Sequence, residues 1–104
     1  MKILNLPEFN GFKDSGMSMK LVHESEFVKV ISFNFKPGQG LPVHSHDIEG
    51  ELVLTILEGT GEFLTKDAST PAKAGDVLVS PIAVPHGVRA ATDMRVLVTI
   101  APPI

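Results

Sequence analysis

The sequence predicts an all-β fold, a sandwich or a barrel, on three observations. Short runs rich in β-branched and aromatic residues recur along the chain. Turn signals separate them about every eight to twelve residues. No window shows a convincing helical period. At 104 residues the chain is expected to be one domain, 1–104, long enough to bury a core without disulfide or metal staples.

In chain order, Ile3 to Leu6 is a short apolar piece stopped by Pro7, suited to an edge strand or a dimer arm. Gly11 to Gly16 is turn-rich, and Ser18 to Glu24 forms a short strand of mixed faces. Phe27 to Phe35 is the expected central strand, with Phe27, Ile31, Phe33 and Phe35 on one face. Its other face, with Val28, Val30, Ser32 and Asn34, suits either a pocket lining or a half-exposed sheet. Lys36 to Gly40 breaks it, because proline fixes φ and glycine permits positive φ. Leu52 to Leu57 is a continuous apolar run, as expected of a strand covered on both faces, with Glu62 to Lys66 as its hairpin partner. Asp67 to Pro71 is expected to be a polar turn. Val77 to Ser80, His86 to Ala90 and Met94 to Ile100 complete the strands, the last with Met94, Val96, Val98 and Ile100 on one side.

Composition narrows the function. A charged fraction of 20% and a formal net charge of −3 leave no basic footprint, so neither nucleic acid nor an anionic membrane surface is an expected partner. There is no cysteine, which removes disulfides, thiolate nucleophiles and sulfur-rich zinc sites. Any metal must be held by imidazole and oxygen. No apolar run approaches the roughly 18 residues of a membrane span, and the first seven residues are too soon broken for a signal peptide. A cytoplasmic protein is expected.

Chemistry concentrates in Pro42 to Glu51, which holds His44, His46, Asp47, Glu49 and Glu51. If Val43 to His46 is extended, His44 and His46 share a face about 6.5 to 7 Å apart. Two ligands on one rigid strand can converge on one ion. His86 lies forty residues beyond His46 and opens a strand after a Pro-bounded turn. Three imidazoles and a carboxylate leave two positions of an octahedron open, which is the pattern of catalytic rather than structural ions. His23 stands alone and reads as a surface or hydrogen-bonded residue, and Met17, Met19 and Met94 read as core fillers rather than ligands.

These residues resemble the cupin superfamily. Its first motif runs Gly, five residues, His-x-His, three or four residues, Glu, six residues, Gly; here Gly38, His44-Ser45-His46 and Glu51 match, over about 38–59. Its second runs Gly, five residues, Pro-x-Gly, two residues, His, three residues, Asn; here Gly75, Pro81-Ile82-Ala83 and His86 follow it, over about 75–90. The resemblance implies a small RmlC-like jelly roll, a double-stranded β-helix, usually a homodimer. It also implies one divalent transition-metal ion, iron, manganese, nickel or zinc, at the barrel mouth, held by His44, His46, Glu51 and His86.

Three departures matter. Ala83 replaces the second motif's Gly and Ala90 its Asn. Glu51 stands eight residues before Gly59 where the family's Glu stands seven before it, so Leu52 occupies the expected place. One extra residue reverses a strand's facing unless a bulge absorbs it. Glu51 therefore needs a bulge within 52–57 to point inward; the alternatives are Glu49, through an irregularity at Gly50, or a site of three histidines alone.

The chain has no Tyr, Trp or Cys, so chemistry that depends on a phenol or a thiol is poorly supported. Phe33 or Phe35, Leu and Val of 52–57, and Met94 or Val96 are candidate walls for a small, partly hydrophobic substrate with one chelating oxygen pair. Arg89, three residues after His86, should face away from it. The expected function is a metal-binding cupin acting on a small organic molecule by dioxygenase-like or isomerase-like Lewis-acid chemistry. The alternatives are a non-catalytic small-molecule binding or sensing cupin and a dimeric barrel without a ligand.

Overall fold

Period-two alternation decides which face of each strand is covered, and here it builds two facing sheets. The computed structural model describes all 104 residues. A 3-10 turn, Leu6–Phe9, precedes nine strands: β1 (Ser18–Glu24), β2 (Lys29–Phe35), β3 (Gly40–His44), β4 (Glu51–Glu58), β5 (Thr60–Leu64), β6 (Ser69–Lys73), β7 (Val77–Pro81), β8 (His86–Ala90) and β9 (Met94–Ala101). They form a five-stranded sheet in the order β1-β2-β9-β4-β7 and a four-stranded sheet in the order β3-β8-β5-β6. This is the jelly roll of a double-stranded β-helix.

Strand β9 sits between β2 and β4, and its register aligns their apolar faces. Val96, Val98 and Ile100 stand opposite Ile56, Leu54 and Leu52 on one side and pair with Phe33, Ile31 and Lys29 on the other. The smaller sheet contributes Phe63, Ala72, Val88 and Ala90, and fourteen buried residues make one cluster. Phe33 and Phe35 stack with ring centroids 5.5 Å apart. Fully burying each such side chain is worth roughly 1.5–3 kcal/mol, so this shared layer is the main stabilising feature. Ala90, where the second motif has Asn, is part of the core and adds no polar contact there.

Four local readings change. Ile3 to Leu6 forms no strand; the chain turns at Leu6–Phe9, with Pro7 in the first turn where its missing N–H costs nothing. The following segment then docks on the outer face of the wider sheet. Asn34 Nδ2 donates to the Phe9 carbonyl at 3.1 Å, the Ser18 hydroxyl to that of Gly11, and Gln39 Nε2 to that of Lys13 at 3.0 Å. Ser32 and Asn34 are consequently fully buried rather than half-exposed. Second, Ser69–Lys73 is strand β6, not a turn; it pairs with β5, and Pro71 is tolerated because β6 is an edge. Third, only Met94 of the three methionines is in the core. Met17 and Met19 are exposed, Met19 on the edge strand β1, and Phe27 lies outside β2 and is exposed. Fourth, the strand that follows Leu52 to Leu57 is not its hairpin partner: the chain crosses at Gly59 into the other sheet, where β5 pairs with β6 and β8, while β4 pairs with β7 and β9.

Strand β4 carries a bulge: Ile56 pairs with Val96, but Glu58 pairs with Arg95. The extra residue turns Glu58 outward, where its Oε1 accepts a bond from the buried Arg95 at 2.9 Å. Upstream, the inward series remains Leu52, Leu54 and Ile56.

Ile56→Ala should lower stability by about 2–5 kcal/mol, because the packed layer cannot close over the hole. Val79→Ala, on an exposed position of β7, should change it by less than about 0.5 kcal/mol. Urea unfolding of the two variants checks this; equal losses would contradict the placement of the core.

Candidate metal centre

Strands β3 and β8 bring the site together. They run antiparallel, with Leu41 opposite Val88 and, after a register shift, His44 opposite His86. The backbones approach closely beside that pair. A Cβ on Gly87 would lie 2.7 Å from the Leu41 carbonyl oxygen and 3.0 Å from the Val43 nitrogen, so no larger residue fits there without displacing β3. The His44 and His86 rings are 4.6 Å apart between centroids, and His44 and His46 are 5.5 Å apart.

The two paired histidines are held the same way. His44 Nδ1 is 2.7 Å from the Pro42 carbonyl oxygen, and His86 Nδ1 is 2.7 Å from that of Val84. A carbonyl only accepts, so each Nδ1 carries the hydrogen, and each neutral ring keeps its Nε2 lone pair free. A second-sphere bond of this kind orients the imidazoles of metal sites. His46 lies beyond the end of β3 and is pinned through its main chain, its N–H donating to the Ile82 carbonyl at 3.2 Å. Its side chain is exposed, whereas His86 is buried. As the rings stand, no three ligating side chains form a ready coordination group. The ring with room to turn is His46.

All three histidines line one cavity of about 210 Å³. Its remaining walls are apolar: Ile31 and Phe33 of β2, Leu41 of β3, Leu52 and Leu54 of β4, Val98 and Ile100 of β9, and Ile104. Phe33, Leu52 and Leu54 were legible as wall residues; Phe35, Met94 and Val96 lie instead in the closed core, and Val53 and Leu57 are not among the walls. The contributions of Val98 and Ile100 follow from extending the β9 alternation to its end. Ile104 had no signal in the sequence.

The carboxylates stand elsewhere. Glu51 is exposed on the outer face of β4, between Pro81 and Ala101, and Leu52 takes the inward position beside it. The bulge in β4 acts at the far end of the strand and leaves Glu51 outward. Glu49 is also exposed, in the loop before β4, and neither glutamate lines the cavity. The donor set at the cavity is three imidazoles, which suits a divalent transition ion with open positions.

Arg89 faces away from His86, as its spacing predicts, and its guanidinium holds Glu62 at 2.8 Å across β5 and β8. That pair, with a bond from Ser69, keeps the Glu62 carboxyl below its ordinary pKa. His23 lies apart from the other histidines, in a separate hollow of about 440 Å³ with Lys2, Leu4 and Leu97. A third hollow of about 290 Å³ between Gly38 and Arg89 contains no histidine or carboxylate.

The family model described as Cupin domain matches residues 31–100. An RmlC-like cupin protein from Desulfovibrio desulfuricans is 63% identical over 100% of this chain and 99% of its own, with a TM-score of 0.94. A protein from Thermus thermophilus is 28% identical over 98% of each chain, with a TM-score of 0.87. A Thermotoga maritima protein named as a predicted oxalate decarboxylase shares the fold at 22% identity, over 84% of this chain and 81% of its own, with a TM-score of 0.74. No curated protein matches the chain.

Burial pushes the His86 ring below the ordinary value of 6.5; the bond to Val84 opposes this, and the neighbouring His44 and His46 add to the lowering. The unfolded chain therefore takes up a proton before the folded one. Stability should fall as pH drops from 6.5 through the lowered value. In an NMR titration of metal-free protein the His86 ring should titrate below 6.5, and His86→Gln should flatten the stability loss; a midpoint at or above 6.5 would contradict the effect of burial.

Proposed function

The chain belongs to the cupin domain family, and we propose that it holds one divalent transition-metal ion through His44, His46 and His86 and acts there on a small, partly apolar organic ligand. The observation that carries this reading is the matched pair His44 and His86. They are register partners, each with Nδ1 committed to the carbonyl two residues before it and each with Nε2 free at the same cavity. His46 completes the set by turning its exposed ring.

The residues favour a particular kind of ligand. Three neutral imidazoles bring no negative charge, and Leu52 stands where a fourth, anionic donor would have compensated the ion. A ligand offering a pair of oxygens, at least one of them ionised, supplies that charge in a poorly solvated site. Phe33, Leu54 and Val98 exclude water around the ligand's apolar part. The cavity, at about 210 Å³, is smaller than the roughly 300–1,000 Å³ of sites for drug-sized molecules, which limits the ligand to a small one. An ion bound there supplies Lewis-acid polarisation of the ligand's oxygens or, with iron, manganese or nickel, dioxygen chemistry.

Metal analysis of protein purified without chelator should give about one equivalent, with His44→Ala and His86→Ala each losing most of it. Less than about a tenth of an equivalent, unchanged in those variants, would sink the reading. Leu52→Glu should tighten the ion and weaken anionic ligands. Across enols, catechols and β-diketones, substrate loss or oxygen consumption that disappears in His86→Ala identifies an enzyme; saturable binding without turnover identifies a binding protein.

A further inference from the structure

One wall of the histidine cavity belongs to no strand. β9 ends at Ala101, opposite Glu51, and residues 102–104 then fold back so that Ile104 lines the cavity beside Ile31 and Ile100. Pro102 and Pro103 have no N–H, so ladder bonds from their nitrogens cannot tie this segment to a sheet. Its polar tether is the main-chain oxygen of Ile104, which accepts a bond from Lys29 Nζ at 3.0 Å. Lys29 is the register partner of Ile100, on the β2 face that continues into Ile31 and Phe33, and its ammonium also lies 3.7 Å from Glu24.

The segment also packs against the loop that carries His46. A Cβ on Gly50 would lie 2.5 Å from Pro102 Cδ and 2.5 Å from the Ala101 carbonyl oxygen, so this loop packs against the end of β9 and the proline ring that opens the segment. Gly50 in turn accepts a bond from the Ile82 N–H at 3.0 Å, and the Ile82 carbonyl accepts that of His46 at 3.2 Å. His86, which lines the same cavity as Ile104, is 4% exposed, whereas Ile104 itself is 37% exposed. A partly exposed side chain, one surface hydrogen bond and two prolines make this the wall of the cavity that opens at least cost.

We propose that Ile104 is a specificity-determining residue of the cavity, positioned by Lys29, and that residues 102–104 swing aside to admit a ligand to His86. This builds on the proposed function in taking the cavity as a ligand site, and it does not depend on an ion being bound. With the segment closed, Ile104 sets the length of apolar body that fits. With Lys29 released, the mouth widens without any change in the strands.

The test is the rate at which diethyl pyrocarbonate modifies each histidine of the chelator-treated 104-residue protein near neutral pH, mapped by peptide mass. Ile104→Ala and Lys29→Ala should each speed modification of His86 about three- to tenfold, the effect of losing one modest tether on a local opening. Lys29→Arg, which keeps a donor to the Ile104 oxygen, should return His86 toward the wild-type rate, and the already exposed His46 should react alike in all four proteins. An unchanged His86 rate in both alanine variants overturns the proposal, as does an equal acceleration at His46, which marks general loosening. The readout uses metal-free protein, so a failure here and a failure of metal loading are separate results.

Discussion

The pairing of β3 with β8 is the constraint on which the site depends. It sets His44 across from His86, and the close approach at Gly87 fixes how near those strands lie. Each ring is then locked by a carbonyl of its own strand approach, Pro42 or Val84. Position, tautomer and orientation of two donors thus follow from backbone alone, with no contribution from flexible side chains. His46 differs, because only its main chain is fixed, through Ile82. The site is two rigid imidazoles and one adjustable one.

The same strands that close the core also open the cavity. Along β2, Phe35 is fully buried in the packed end, while Phe33 and Ile31 line the cavity. β4 repeats the gradient from Ile56 to Leu52, and β9 from Val96 to Ile100. One alternating apolar layer therefore supports both stability and the wall of the cavity. It also decides the charge of the site, since the inward parity of β4 presents Leu52 and leaves Glu51 to solvent.

Much of this was legible in the sequence for a physical reason. Strand alternation and turn chemistry are local, so seven of the nine strands and the inward faces of β2 and β9 follow from residue order. The histidines were legible because two independent spacings fix them to the starts and ends of strands. Strand β6 was hidden by its composition, being polar, proline-containing and on an edge. The facing of Glu51 depended on where a bulge falls, and that is set by the pairing of Glu58 with Arg95 on a different strand. Ile104 and Lys29 meet only through the fold, 75 residues apart. Spacing within a strand does not report such contacts.

The central claim is a centre of three imidazoles without a protein carboxylate. X-ray absorption on cobalt-loaded protein tests it most directly, because outer-shell scattering counts imidazoles. Three imidazoles, and a spectrum unchanged by Glu51→Ala, are the expected result. Fewer than three, or a spectrum that changes when Glu51 is removed, would contradict it.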